Sequence, residues 1–219
     1  MRLAKDGIPV VIHDATLRRT GLTSGEVAQL TSTQLANVSV GSWFNRAHPT
    51  LARDVYDRQR VPTLSDVFLF LRDKPGSIYV ELKTEGANPP SDLVRAVSNA
   101  IVKFGFQARV VVVSFELPTV AAIKSLNSSI RTGALFAPQR RPNVSWRADS
   151  ILNAATDCGA DELLPHRLLA RPKLIEKARD RHLPVVVWTV DDHVWVARAR
   201  TLGIHALITN NPARMLAVA

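Results

Sequence analysis

Short runs of β-branched residues alternate along this chain with stretches of helical periodicity, and this alternation restricts the fold more than any other feature. Each run reads as a buried strand and ends in polar residues. Because strand and helix alternate throughout, we expect a mainly parallel sheet and the α/β class. The six runs are Ser77–Lys83, Val110–Phe115, Thr132–Phe136, Asp161–His166, Pro184–Asp191 and His205–Asn210.

Local signals predict where three helices begin. Thr63 and Asp66 match a capping box, and Ser91 is a suitable N-cap residue. Pro172 stands where a first-turn proline belongs. The repeat of about 20 to 30 residues is compatible with a (β/α)8 barrel or with an open doubly wound sheet.

The residues that follow the strands favour the barrel. No Gly-x-Gly-x-x-Gly or Gly-Lys-Ser/Thr phosphate loop follows any strand, which weakens the nucleotide-binding alternatives. Polar side chains instead stand at the carboxyl ends of the strands, where barrel enzymes assemble their sites. We therefore predict a (β/α)8 TIM barrel. The strand-end residues are Glu81, Lys83, Ser114, His166, Thr189, Asp191, Thr209 and Asn210.

Composition excludes several classes of protein. With 46% hydrophobic and 21% charged residues in 219, the chain can build a packed core, so wholesale disorder is excluded. No apolar run approaches the roughly 18 to 20 residues of a membrane-spanning helix. The single cysteine, Cys158, cannot form an internal disulfide or a Cys-based zinc site.

The positive charge is spread over the chain. Lys and Arg total 28 against 19 Asp and Glu, a net charge of +9, but the densest spots are pairs such as Arg18-Arg19 and Arg140-Arg141. Aromatic residues make up only 6% of the chain. We therefore expect a solvated basic surface and no nucleic-acid partner, whereas a nucleic-acid binder would show a steep dependence of its affinity on salt.

The N-terminal segment indicates a hairpin. Ile8–Asp14 reads as a strand, and Lys5-Asp6-Gly7 before it contains the Asp-Gly pair of a tight turn. Only Met1–Ala4 remain to pair with that strand. We therefore expect the printed sequence to begin in the middle of a structural unit.

A series of short motifs resembles the glycerophosphodiester phosphodiesterase family in order and spacing, from about residue 3 to residue 215. The resemblance implies a TIM barrel that hydrolyses glycerophosphodiesters to an alcohol and glycerol 3-phosphate with a divalent metal, Ca²⁺ or Mg²⁺. The motifs are Val10-Val11-Ile12-His13-Asp14, Gly41-Ser42-Trp43-Phe44, Val61-Pro62-Thr63-Leu64, Val80-Glu81-Leu82-Lys83, Val113-Ser114-Phe115 and Val187-Trp188-Thr189-Val190.

The resemblance also implies roles for particular residues. His13 would transfer protons, Glu81 would be a carboxylate ligand of the metal, and Lys83 would place an ammonium at the phosphate. Asp14 is a supporting residue that either orients His13 or caps a turn. The residues expected to line the substrate pocket are Phe115, His166 and Trp188.

Each assignment has a plainer alternative. A strand-terminal His13-Asp14 pair is commonly a surface turn, and Glu81 with Lys83 is compatible with an ordinary ion pair. Trp188 is flanked by valines and is compatible with an ordinary position in the hydrophobic core. His166 need not line the site. The family also often has Asp where Asn210 stands, which casts doubt on an acidic role at the end of the last strand.

Two motifs of the family are absent from residues 1–219, namely the His-Arg and Glu-x-Asp pairs of its first two strands. We therefore expect one domain over residues 1–219, incomplete at its N-terminus, with about two barrel strands and one helix missing. Open edges at Ser77–Lys83 and His205–Asn210 would then promote self-association. The printed chain would be inactive, and a remnant acting as an interaction domain is the alternative function. We expect a cytoplasmic location.

Overall fold

A computed structural model describes residues 1–84, 91–138 and 147–218. The chain divides into two compact units, Met1–Val110 and Val111–Ala219. Within the described ranges, none of the helices combines the length and apolar content that a bilayer span requires.

The first unit contains the predicted hairpin. Its strands β1 (Arg2–Leu3) and β2 (Pro9–Val10) are antiparallel, and Gly7 in the turn has a φ of 75°, which glycine adopts without strain. The ladder is shorter than the predicted strand Ile8–Asp14, because the amide of Val11 donates instead to the carbonyl of Pro62 at 2.8 Å. Residues 11–14 therefore form a loop rather than a strand.

The remaining elements of this unit are short except for two helices. Strand β3 (Ile78–Glu81) confirms the first predicted run, and short 3-10 turns cover Val27–Gln29 and Pro49–Leu51. The helices are α1 (Ser32–Leu35), α2 (Ser42–Ala47), α3 (Asp54–Asp57), α4 (Leu64–Leu71) and α5 (Ser91–Lys103).

Helix α4 begins at the predicted capping box. The Thr63 hydroxyl accepts from the Asp66 amide at 3.1 Å, and the Asp66 carboxylate accepts from the Thr63 amide at 2.9 Å. Both amides would otherwise lack a partner, so the reciprocal pair stabilises the start of the helix. Phe68, fully buried in α4, stacks on Phe106 at 4.6 Å and fixes the helix against the segment after α5.

The expected open edge at Ser77–Lys83 is covered at one end. The Lys83 amide donates to the Met1 carbonyl at 3.0 Å, and the Met1 amino group donates to the Glu81 carbonyl. Residues 81–83 therefore already have a backbone neighbour, and the prediction of an edge open along the whole run is wrong there.

A single arginine closes the carboxyl end of α4. The Arg109 guanidinium donates to the carbonyls of Gly76 at 3.1 Å, Leu71 at 3.2 Å and Arg72 at 3.0 Å, and also to that of Lys74. These carbonyls follow the last helical turn and have no partner within the helix. One side chain thus holds the segment between α4 and β3.

We expect Arg109→Met to lower the free energy of unfolding by about 1–3 kcal/mol. The methionine keeps the apolar part of the side chain, but the carbonyls lose the charged group that donates to them. Urea denaturation measures the change. The control is Arg95→Met, which removes only an exposed ion pair with Asp92 and should change stability by less than about 1 kcal/mol. Equal effects of the two variants would contradict the role of Arg109.

The second unit repeats strand and helix. Its strands occur at the other five predicted runs, but only two residues each of Pro184–Asp191 and His205–Asn210 are strand. Helix α8 has Pro172 in its first turn as predicted. The strands are β4 (Val110–Ser114, beginning at the junction), β5 (Arg131–Phe136), β6 (Glu162–Pro165), β7 (Val186–Val187) and β8 (Ala206–Leu207). The helices are α6 (Leu117–Leu126), α7 (Ala148–Asp157), α8 (Pro172–Asp180), α9 (Val194–Leu202) and α10 (Pro212–Leu216).

Pairing in this unit is parallel, as predicted. Strand β5 lies between β4 and β6, and β7 pairs with β8. Isolated bridges from Leu163 to Val185 and from His166 to Trp188 connect β6 with the segment around β7. The α/β class is therefore confirmed, and the carboxyl ends of β6, β7 and β8 carry the polar residues His166, Thr189 and Thr209.

Gly133 in β5 shows how closely the strands of this unit pack. A Cβ atom there would lie 2.3 Å from Leu164 Cδ1 and 3.0 Å from Val113 Cγ1. Contacts this short require a side chain to move, so the position admits only glycine without repacking.

Candidate functional site

His13 lies in the loop that follows the hairpin, and its ring is held from one side. Its Nδ1 is 2.7 Å from Asp14 Oδ1, and Arg2 Nε donates to the His13 carbonyl at 3.0 Å. The side chain is nevertheless 68% exposed. The ring is thus oriented by its neighbours while its Nε2 edge is accessible for proton exchange.

Asp14 joins His13 to an arginine. Arg19 Nε donates to Asp14 Oδ2 at 2.6 Å, and Arg19 Nη2 donates to Oδ1 at 3.1 Å. The hydrogen bonds from Arg19, and then that from His13, lower the pKa of Asp14 from 3.8 to about 2. Asp14 is therefore ionised at neutral pH and can only accept, so the proton of its bond with His13 belongs to Nδ1.

The Arg19 guanidinium is itself placed by an aromatic ring. It lies 5.6 Å from the centre of the Trp43 ring, in α2. Trp43 contacts Phe44 edge to face at 6.0 Å. The Gly41-Ser42-Trp43-Phe44 motif thus contributes to the position of His13 through Arg19 and Asp14.

Removal of Arg19 should change the pKa of Asp14. In Arg19→Met we expect the pKa of Asp14 to rise towards 3.8, because the largest cause of its depression is lost. In the unsubstituted chain, the ionised Asp14 stabilises the fold above its ordinary pKa of 3.8, and this stabilisation is lost as the pH falls towards 2. The variant should lose this pH-dependent part of the free energy of unfolding. Carbon-13 NMR titration of the carboxyl group measures the pKa.

The matched control is Arg18→Met, which removes the same charge from the neighbouring exposed position. It should leave the titration of Asp14 close to that of the unsubstituted chain. A comparable rise in both variants would mean that general electrostatics, and not the two hydrogen bonds, depress the pKa of Asp14.

Glu81 and Lys83 form an ion pair at the carboxyl end of β3. Glu81 Oε1 lies 2.6 Å from Lys83 Nζ, and the two side chains are 29% and 17% exposed. Glu81 Oε1 is fully buried and accepts no hydrogen bond within the described part of the chain, so its one close polar contact is the ion pair. The buried carboxylate oxygen is thus paired with a cation, as a buried charge requires.

His13, Glu81 and Lys83 line one cavity of the first unit. Its volume is ≈ 280 Å³, and the rest of the lining includes apolar side chains such as Leu64 and Val67. The structure therefore brings together the predicted proton-transfer residue, the predicted metal ligand and the predicted phosphate-binding lysine.

A Ca²⁺ or Mg²⁺ ion in this cavity would need several oxygen ligands, because both ions take six or more. Glu81 supplies a suitable carboxylate oxygen, but among residues 1–84, 91–138 and 147–218 no three His, Cys, Asp or Glu side chains form a metal-binding group. The described residues by themselves do not make up a site for either ion.

The three predicted substrate-pocket residues form an aromatic cluster in the second unit. The Trp188 ring contacts Phe115 edge to face at 5.3 Å and His166 at 5.0 Å. The indole Nε1 donates to the Leu164 carbonyl at 2.8 Å, so a backbone oxygen already uses this donor. Trp188 is partly buried, so its ring is not enclosed in the core.

A larger cavity, ≈ 620 Å³, lies at the carboxyl ends of β6, β7 and β8. His166 lines it, which agrees with its position at the end of a strand. Sequence reasoning did not find Arg167, Trp195 and Arg214, which also line it. These residues stand in loops or short helices, where no periodicity singles them out.

Structural comparison shows which class of fold these units belong to. The chain resembles an Oleispira antarctica phosphodiesterase, solved in complex with the product sn-glycerol-3-phosphate, with a TM-score of 0.82 and 19% identity over 99% of this chain and 81% of that one. A glycerophosphodiester phosphodiesterase from Agrobacterium tumefaciens matches with a TM-score of 0.76 and 22% identity, over 99% and 84%. The predicted TIM-barrel class of the phosphodiesterases is therefore confirmed.

Sequence comparison identifies the family. Residues 1–214 match the model of the glycerophosphoryl diester phosphodiesterase family, and the chain belongs to that family. A glycerophosphodiester phosphodiesterase from Caldanaerobacter subterraneus is 26% identical over 216 residues, which cover 99% of this chain and 82% of the relative. A Bacillus subtilis protein of the same name is 25% identical over 97% of this chain and 72% of its own length.

Proposed function

We propose that the protein hydrolyses glycerophosphodiesters to an alcohol and glycerol 3-phosphate. The names of the relatives from Caldanaerobacter and Bacillus, and the product bound to the Oleispira enzyme, support this reaction. The observation that carries the proposal is the single cavity lined by His13, Glu81 and Lys83. A proton-transfer group, a carboxylate and an ammonium are what the cleavage of an anionic diester requires.

His13 transfers the proton through Nε2 in this proposal. The ionised Asp14 keeps the other proton on Nδ1, so the ring presents one free nitrogen that can accept a proton and later return it. Asp14 and Arg19 are positioning residues, since they hold the ring without contacting the reacting atoms.

Lys83 binds the phosphate and Glu81 holds the lysine. The ammonium lies 2.6 Å from the carboxylate, which fixes it in the cavity, and its charge attracts the diester oxygens. The expectation that Phe115, His166 and Trp188 line the substrate pocket stays a prediction.

We further propose that the reaction depends on Ca²⁺ or Mg²⁺ and that Glu81 is one ligand among several. Since both ions take six or more oxygen ligands, water, backbone carbonyls and the phosphate itself would complete the coordination.

Replacement of His13 tests the assignment. We expect His13→Gln to lower kcat by about 10²–10⁴-fold, because proton transfer is lost while phosphate binding is kept. Release of glycerol 3-phosphate from glycerophosphocholine and glycerophosphoinositol gives kcat and KM. The control, His205→Gln, changes an exposed histidine of the other unit and should leave kcat unchanged.

Metal removal tests the second part of the proposal. Activity should disappear in excess EDTA and return with added Ca²⁺ or Mg²⁺. Activity that EDTA leaves unchanged would refute the metal dependence. No release of product under any of these conditions would favour the alternative function, an inactive interaction domain.

Three expectations on partners and location stay predictions. They are a cytoplasmic location, the lack of a nucleic-acid partner, and self-association through sheet edges. For the last of these, the edge at His205–Asn210 is the segment to examine, since residues 81–83 are paired with Met1.

A further inference from the structure

Trp43 lies at the start of α2, outside the cavity that His13, Glu81 and Lys83 line. We propose that Trp43 is a positioning residue for the reaction, because its ring holds Arg19 on Asp14 and so keeps the His13 imidazole oriented. The inference rests on the proposed function, since it presumes that His13 transfers the proton. It goes beyond that function by giving a role to a residue that does not contact His13 or the cavity.

Two hydrogen bonds from one guanidinium fix the orientation of the Asp14 carboxylate. Arg19 Nε donates to Oδ2 at 2.6 Å, and Arg19 Nη2 donates to Oδ1 at 3.1 Å. A single hydrogen bond would let the carboxylate turn, whereas a two-point bond defines the positions of both oxygens. Oδ1 also lies 2.7 Å from His13 Nδ1. The direction of the hydrogen bond from the imidazole is therefore set by the guanidinium.

The Arg19–Asp14 pair needs a further contact to keep this geometry. The Arg19 side chain is 54% exposed, and exposed ion pairs are weak because water competes for both partners. The Trp43 ring supplies that contact, with 5.6 Å between its centre and the guanidinium carbon. This distance is within about 6 Å, the range of a cation–π interaction. Loss of the ring should lower the fraction of molecules in which Arg19 holds Asp14.

The neighbours of Trp43 in its motif fix the start of α2. A Cβ atom at Gly41 would lie 1.9 Å from the Tyr56 carbonyl oxygen, so only glycine permits this approach of the two backbones. Phe44 contacts the Tyr56 ring edge to face at 5.5 Å. The glycine and the phenylalanine thus tie α2 to α3, and the residue between them places its ring on the guanidinium.

Titration of the Asp14 carboxyl group by carbon-13 NMR tests the inference without turnover. In Trp43→Leu we expect the pKa of Asp14 to rise from about 2 towards 3.8, because the hydrogen bonds from Arg19 are the largest cause of its depression. Trp43→Phe keeps an aromatic face and should retain most of the depression. The matched control is Phe70→Leu, which removes a 72% exposed ring that lies 5.1 Å from Lys74 Nζ. It should leave the pKa of Asp14 unchanged.

A double substitution separates positioning from packing. If Trp43 acts through Arg19, adding Trp43→Leu to Arg19→Met should cause no further rise in the pKa of Asp14. A further rise of the same size in the double variant would overturn the inference. So would an unchanged pKa in Trp43→Leu, or equal rises in Trp43→Leu and Phe70→Leu. Trp43→Phe guards against loss of the fold in Trp43→Leu, and a full rise in a folded Trp43→Phe would also count against the role of the ring.

Kinetics connect this role with the proposed reaction. With Ca²⁺ or Mg²⁺ present, Trp43→Leu should lower kcat for glycerophosphocholine by about 10-fold, because the imidazole loses its fixed orientation. KM should stay within about 2-fold, since Lys83 and Glu81 are unchanged. An unchanged kcat, or a raised KM with the same kcat, would contradict the inference. If the unsubstituted chain releases no product, the proposed reaction fails, whereas a raised pKa of Asp14 in Trp43→Leu would still support the contacts from Trp43 to Asp14.

Discussion

Burial of the strands on both faces is the constraint on which the rest of the structure depends. All five residues of Val110–Ser114 and all four of Glu162–Pro165 are buried. A strand enclosed in this way has room for polar side chains chiefly at its ends, because a polar group in the middle would lose its water. The side chains that can meet a substrate are therefore confined to the strand ends and the loops that follow.

Glu162 illustrates what an exception requires. It is 1% exposed at the start of β6, and the guanidinium of Arg131 on the neighbouring strand pairs with its carboxylate. A buried carboxylate without such a partner would be strongly destabilising. The two ends of these strands thus differ. Side chains at the amino ends form an internal ion pair, whereas side chains at the carboxyl ends face a cavity.

Sequence alone was sufficient to locate the strands, because their apolar runs end in recognisable polar residues. It overestimated the lengths of the strands in Ile8–Asp14, Pro184–Asp191 and His205–Asn210, where two residues each are strand. It was also sufficient for the capping box at Thr63 and the first-turn Pro172, whose signals are local. It did not predict the contacts of Arg19, which lies five residues beyond Asp14 in an irregular loop. No periodicity connects two loop positions, so only the path of the backbone brings the guanidinium to the carboxylate.

Asn210 is a case in which a departure from the family pattern has a structural explanation. Asn in place of the family's Asp casts doubt on an acidic role at the end of the last strand, but this reasoning considers position 210 alone. In the structure Asn210 donates twice to Asp191, so a carboxylate is present after all, on the neighbouring strand end. The hydrogen bonds from Asn210, and then from Thr209, lower the pKa of Asp191, which keeps that carboxylate ionised.

The guanidinium of Arg109 has a consequence for local opening of the chain. The four carbonyls that accept from it belong to residues between Leu71 and Gly76, so they lose this donor together when the side chain moves away. The end of α4 and the segment before β3 should therefore open as one unit, and hydrogen exchange of the amides around residues 71–76 should report a shared free energy of opening.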